Sequence, residues 1–92
     1  MNQVKQATSI ICDQLGERMD KEAAVTIAYH VQTYGAAAVG KLAAEAQATF
    51  SNGGLRTAAG EQRTMGGCYF YLAKKRGWVT NRRHAARLLA GG

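Results

Sequence analysis

Proline is absent from the 92 residues of this chain, and long apolar runs are absent as well. Without proline nothing interrupts a helix from within, and the abundant alanine favours helix along most of the chain. No apolar run approaches the ~20 residues needed to cross a bilayer. The N-terminal segment MNQVKQATS is too polar for a secretory signal. We therefore expect a soluble, cytoplasmic protein with no membrane partner.

Cysteine is scarce too. Cys12 and Cys68 lie far apart, form no CxxC pair, and have neither His30 nor His84 at a zinc-like spacing. Free cysteine is commonly buried, so we predict two buried, reduced thiols. We expect no metal ion and no other cofactor.

Acidic residues are nearly missing from the second part of the chain. Residues 1–51 contain four basic and five acidic side chains, whereas residues 52–92 contain eight basic and one acidic. Such a local excess of positive charge indicates a polyanionic partner. An acidic membrane surface is the alternative, and it is disfavoured because the basic segments lack a lipid-facing apolar stripe.

Apolar residues recur at helical spacing through most of the chain, with no strand-like alternation. The predicted helices cover about 3–16, from an N-cap at Asp20 to about Tyr34, about Ala36–Ser51, about Met65–Arg76, and from a cap at Thr80 or Asn81 to about Ala90. Their inward faces include Val4, Ala7, Ile11, Leu15, Ala24, Ile27, Ala28, Val31, Tyr34, Val39, Leu42, Ala43, Ala46, Phe50, Ala85, Leu88 and Leu89. The expectation is a single all-α domain, residues 1–92, that forms a compact bundle of four to five short helices.

The most informative segment is NGGLRTAAGEQRTMGGCYFYLAKKR, residues 52–76. Gly53-Gly54 ends the third helix, a glycine-rich loop follows over 53–64, and Gly66-Gly67 opens the fourth helix. Thr64 is a suitable N-cap, and the amides of a helix N-terminus can bind a phosphate beside Arg63. Close packing between helices is the alternative role of the second glycine pair.

The three consecutive aromatic residues of the fourth helix cannot all face the same way. We place Tyr69 and Phe70 in the core. Tyr71 lies on the side of Lys74 and Lys75, where it can stack on a base or simply cover the lysine stems. Aromatic rings beside cationic side chains are typical of proteins that bind single-stranded nucleic acid.

Basic residues near two helix ends complete the candidate site. Lysine or arginine at a helix C-terminus can simply complement the helix dipole, but together with the tail arginines it favours phosphate contact. The full set of candidate residues for contact with nucleic acid is Arg56, Arg63, Thr64, Gly66, Gly67, Tyr71, Lys74, Lys75, Arg76, Arg82, Arg83 and Arg87.

The same segment resembles the RNA-binding domain of the phosphorylated adaptor for RNA export (PHAX) family. The family pattern has Gly-Gly-Leu, about four residues, Gly-Ser-Arg-Arg-Arg-Thr-Pro-Gly-Gly, and an apolar helix that ends in lysine. The matching residues here are Gly53, Gly54, Leu55, Gly60, Arg63, Thr64, Gly66, Gly67, Leu72 and Lys74. Glu61-Gln62-Arg63 stands where the family has its arginine cluster, and Met65 replaces the proline. The resemblance covers about residues 8–77, and a basic C-terminal helix follows at about 80–90.

The resemblance implies RNA binding with little base-specific readout. The ligand would be single-stranded or partly structured RNA, held by phosphate contacts and base stacking. A small helical assembly module that docks on an acidic protein or a ribonucleoprotein is the alternative, and self-association stays open with it. Double-stranded DNA is disfavoured because no helix begins with base-reading side chains.

We expect no enzymatic activity. His30 lies beside an apolar stripe and is expected to be a half-buried, hydrogen-bonded histidine, and His84 lies among arginines. A ribonuclease could use two histidines as acid and base, but no motif positions a third residue beside these two.

Overall fold

A computed structural model describes residues 3–16 and 22–91, and these residues form an all-α domain as predicted. Its helices are α1 (Gln3–Leu15), α2 (Glu22–Tyr34), α3 (Ala36–Ser51), α4 (Met65–Lys75) and α5 (Arg82–Gly91). Within the described ranges no helix is long and apolar enough to cross a membrane.

Helix α3 is the centre of the bundle. It packs against α1, α2 and α4, while α1 also packs against α2 and more narrowly against α4. Among the described helices, α5 packs on α2 and not on α1, α3 or α4. The last helix is therefore attached to one side of a four-helix body.

The part of the core that α3 contributes is built from small and medium side chains. The stripe predicted for α3 is confirmed, since Val39, Leu42, Ala43 and Ala46 are all fully buried. Small side chains such as these let helix axes approach closely. Cys12 and Cys68 are buried as predicted and form no disulfide.

The core also contains polar residues that the apolar stripes did not include. Thr8 is buried on α1, where its hydroxyl donates a 2.6 Å hydrogen bond to the carbonyl of Val4. Thr26 is buried on α2, and its hydroxyl has no partner among the described residues. A short polar side chain such as that of Thr8 can be buried within a helix because it can reach a backbone carbonyl of the preceding turn.

Glycine and asparagine end or begin the helices where the sequence indicated. Asn52 is the C-cap of α3, and Gly53 follows with φ of 112°, a value that a side chain would strain. Of the two caps considered for α5, the structure selects Asn81, whose Oδ1 accepts a 3.0 Å hydrogen bond from the amide of His84. Asp20, the predicted cap of α2, lies outside the described residues.

His30 joins three parts of the bundle, and the prediction that it is half-buried is wrong because it is fully buried. Its Nδ1 lies 2.7 Å from the hydroxyl of Tyr69 in α4, and its Nε2 lies 2.6 Å from the carbonyl of Val79. Burial lowers the pKa of His30, and the hydrogen bond to Val79 only partly opposes this. Close by, Tyr34 and Trp78 stack with ring centroids 4.3 Å apart.

Candidate nucleic-acid interface

The glycine-rich loop before α4 is a small hairpin. The amide of Arg63 donates to the carbonyl of Leu55 at 2.6 Å, and that of Thr57 donates to Glu61 at 2.7 Å. Arg56 and Gln62 pair as an isolated antiparallel bridge. These bonds hold the hairpin backbone in place at Arg63, just before α4 begins.

Gly54 shows how closely the two sides of this hairpin approach. A Cβ atom built on Gly54 would lie 2.7 Å from Nε2 of Gln62, and φ of Gly54 is 73°. The positive φ strains any residue other than glycine at this position, and the end of the Gln62 side chain would also have to move. The bridge partner Gln62 was not among the predicted site residues, and nothing in the local pattern indicates it.

Thr64 caps α4 as predicted. Its Oγ1 accepts a 3.0 Å hydrogen bond from the amide of Gly67, and its backbone is extended. The amide of Gly67 is therefore already satisfied, and within the glycine pair the amide of Gly66 remains without a described acceptor. Because Gly66 is itself buried, the geometry gives the pair little room to hold a phosphate through both amides.

Gly67 also permits a close approach of the preceding residues. A Cβ atom at this position would lie 3.2 Å from Oγ1 of Thr64 and 3.3 Å from Cβ of Arg63. Both distances are tighter than ordinary van der Waals contact. The glycine thus allows the hairpin end to fold against the first turn of α4.

Arg63, Tyr71 and Lys75 come together on one exposed side of α4, which we call the α4 surface. The guanidinium carbon of Arg63 lies 5.3 Å from the ring centroid of Tyr71, and the ammonium of Lys75 lies 5.7 Å from it. Tyr71 is 37% exposed, whereas Tyr69 is fully buried and Phe70 is partly buried against the core. The predicted division of the three aromatic residues is confirmed.

The guanidinium of Arg63 includes a buried nitrogen that is unpaired among the described residues. Its Nε is buried and has no hydrogen-bond partner among the described residues. The contact with Tyr71 is therefore the visible interaction that orients this side chain, at a distance where a cation is attracted to the face of an aromatic ring.

Two of the other predicted contacts are already engaged within the chain. Arg76 places one guanidinium nitrogen 2.8 Å from both carboxylate oxygens of Glu45 on α3. Arg56 donates a 3.3 Å hydrogen bond to the carbonyl of Gly60 in the loop. Lys74 is exposed and has no described partner. Glu45 was missed from the sequence because it lies 31 residues before Arg76.

The basic residues at the C-terminal end of α4 and those of α5 lie on helices that do not pack against each other. Arg82, Arg83 and Arg87 are exposed on α5, and α5 packs on α2 without approaching α4. The positive charge is therefore carried by two helices that are not packed together. Between α2 and the start of α5 lies an open cleft, which Arg82 and Arg83 help to line.

The histidines and acidic residues were also compared with the arrangement that a metal ion requires, in the part of the chain that the structure describes. No three His, Cys, Asp or Glu side chains of those residues are grouped so that they could hold a metal ion. Both ring nitrogens of His30 are engaged in hydrogen bonds inside the core, and His84 is exposed on α5.

Comparison with family models matches residues 7–86 to the RNA-binding domain of the phosphorylated adapter RNA export protein. Comparisons with curated proteins and with solved structures gave no match. The matched range runs from α1 into α5, so it includes the whole α4 surface and extends beyond the predicted range of about 8–77. The chain therefore belongs to the PHAX RNA-binding domain family.

Proposed function

We propose that this chain binds single-stranded or partly structured RNA at the α4 surface, mainly through phosphate contacts and base stacking. Membership of an RNA-binding domain family supports RNA as the partner. The observation that carries the proposal is the exposed ring of Tyr71, which has the cationic groups of Arg63 and Lys75 at 5.3 and 5.7 Å from its centroid.

The three side chains can bind the groups that an unpaired RNA strand presents. A base presents a flat face that stacks on an aromatic ring or on a guanidinium plane, and Tyr71 and Arg63 provide one of each. The phosphates on either side of that base carry full negative charge, and Lys75 and Lys74 can bind them at the end of α4. Stacking tolerates any base, so binding is expected to depend little on sequence.

Thr64 and the glycine pair act indirectly in this proposal. The Thr64 cap fixes the first turn of α4, and Gly67 lets Arg63 lie close to that turn. Together they hold the guanidinium near Tyr71 before RNA arrives. Such preorganisation lowers the entropy lost on binding.

The other predicted residues contribute charge around the α4 surface. Arg76 becomes available to a phosphate if its exposed ion pair with Glu45 opens, and exposed pairs of this kind are weak. Arg56 adds charge from the hairpin. Arg82, Arg83 and Arg87 form a second positive region on α5, where a longer RNA can bind at the same time.

We further propose that the chain acts as a cytoplasmic binding protein and not as an enzyme. Support for a purely binding role comes from His30, whose hydrogen bonds to Tyr69 and Val79 commit both ring nitrogens to the core. A general acid or base must reach the proton that it transfers, and a fully buried imidazole does not.

Salt dependence of binding tests the proposal. With an unstructured RNA, log affinity plotted against log salt should slope by about −0.7 per phosphate neutralised, or roughly −3 to −4 for four to six contacts. Lys75→Gln should flatten this slope by about one contact. Lys41→Gln, an exposed substitution on α3, is the matched control and should leave the slope unchanged. A slope near zero, or equal effects of the two substitutions, would contradict the proposal.

A further inference from the structure

An open cleft of about 760 Å³ lies between α2 and the start of α5. Its lining residues are of two kinds. Val25 and Ala86 are apolar, and the remaining lining residues are polar or cationic: Thr80, Asn81, Arg82 and Arg83. The volume falls within the ~300–1,000 Å³ that is usual for small-ligand sites.

Several polar groups in this cleft are available to a ligand. Arg83 is exposed, and its guanidinium has no partner among the described residues. Asn81 uses its Oδ1 to cap α5 by accepting from the amide of His84. Its side-chain NH₂ group, which has no described partner, can therefore still donate hydrogen bonds.

The combination of apolar and cationic lining residues fits a nucleotide better than a bare anion. Phosphate oxygens accept hydrogen bonds from a guanidinium fork, often two at a time. A simple anion would contact the polar and cationic side chains alone and leave Val25 and Ala86 in contact with water. A nucleotide also presents a base and a ribose, whose apolar faces can cover these two side chains.

We propose that the α2–α5 cleft binds one nucleotide of the RNA, with the phosphate at Arg83 and the base or ribose against Val25 and Ala86. This inference rests on the proposed RNA-binding function and adds a second contact to it. The lining residues of the cleft all lie outside the α4 surface, so the cleft is a second contact. An RNA that reaches both binds its second contact at a high effective concentration.

The experiment is an NMR titration of the labelled full chain with adenosine 5′-monophosphate. We expect the methyl signals of Val25 and Ala86 and the amide of Arg83 to shift together with one dissociation constant. Arg83→Gln should weaken that binding by about tenfold or more, the equivalent of one charged hydrogen bond. Arg87→Gln removes the same charge from the same helix outside the cleft lining, and its effect should be clearly smaller.

Two further titrations identify what the cleft recognises. Adenosine should shift the methyl signals weakly, and inorganic phosphate should shift Arg83 without moving Val25. If phosphate reproduces the full pattern at the same affinity, the cleft is a general anion site and the nucleotide assignment is wrong.

Failure of this inference differs from failure of the RNA proposal. If the monophosphate shifts no cleft signal while an RNA oligonucleotide still shifts Tyr71 and Lys75, the cleft is excluded and binding at the α4 surface stands. Equal losses from Arg83→Gln and Arg87→Gln would also overturn the cleft, because they would indicate a general effect of charge. Circular dichroism of both variants should match that of the unsubstituted chain, since both side chains are exposed.

Discussion

The imidazole of His30 and the hydroxyl of Tyr69 form a 2.7 Å hydrogen bond between α2 and α4, across 39 residues of sequence. The other imidazole nitrogen lies 2.6 Å from the carbonyl of Val79. A carbonyl can only accept, so Nε2 carries the proton and Nδ1 accepts from Tyr69. One neutral side chain thus joins α2 to α4 and to the segment that leads into α5.

Tyr69→Phe should destabilise the fold without changing RNA affinity per folded molecule. The substitution keeps the ring and leaves Nδ1 of His30 buried without a donor, which typically costs ~1–3 kcal/mol. Urea unfolding and RNA titration on the same sample measure both quantities. Tyr29→Phe is the matched control, because the hydroxyl of Tyr29 has no described hydrogen bond, and it should change stability much less. Equal stability of the two variants would contradict the role assigned to Tyr69.

Stability should fall as the solution is acidified below about pH 6.5, the ordinary pKa of histidine. Burial lowers the pKa of His30 in the folded state, so the unfolded chain binds a proton at a higher pH than the folded chain does. The stabilisation is complete above the unfolded pKa and is lost as the pH falls toward the folded one. Urea unfolding between pH 7.5 and 5.5 measures this loss, and His30→Phe should show a flatter dependence. If the free energy of unfolding rises on acidification, the assignment of His30 as neutral in the folded state is contradicted.

Gly67→Val should lower both stability and RNA binding. The new side chain meets Thr64 and Arg63 at distances of 3.2 and 3.3 Å from its Cβ atom, so it presses on the α4 cap and on the Tyr71 contact together. Overpacking usually costs ~1–3 kcal/mol. Thermal unfolding and RNA titration should both show the change, and the loss of affinity should exceed the loss of folded protein.

Gly40→Ala is the control for this substitution. A Cβ atom at Gly40 in α3 would have only an ordinary contact, 3.9 Å from Cδ1 of Ile11. Alanine is the better helix former, so stability should rise by about 0.5–1 kcal/mol with RNA affinity unchanged. If Gly67→Val is normal in both measurements, the glycine pair has no part in the site.

Glu45→Gln should increase RNA affinity a few-fold. The substitution removes the carboxylate that binds Arg76 at 2.8 Å and leaves the guanidinium available to a phosphate. Stability should change by less than ~1 kcal/mol, because exposed ion pairs contribute little. Asp13→Asn removes one negative charge from exposed α1 and should raise affinity less. An unchanged or lower affinity for Glu45→Gln would place Arg76 outside the RNA contact.

The helices were predictable because local signals define them. Gly35, Asn52 and Gly53 bracket an apolar stripe, and they gave α3 its observed bounds. The His30 bridge was not predictable in the same way. Its partners lie 39 and 49 residues away, and a periodic pattern reports which face is buried without reporting which polar groups meet there.

The candidate site was predictable in its parts and not in its assembly. Lys75 lies four residues after Tyr71, and that spacing places both on one side of α4. The approach of Arg63 to the same ring depends on the hairpin, whose bonds join residues across the loop. The separation of the α5 arginines from α4 depends on helix packing, which the sequence does not encode locally.

Mapping an unstructured RNA onto the full chain by NMR tests the central claim most directly. The account predicts that the largest amide and side-chain shifts occur at Arg63, Tyr71 and Lys75, and that they weaken together as salt is raised. Saturating binding that leaves all three signals in place would contradict it, whatever other part of the chain responds.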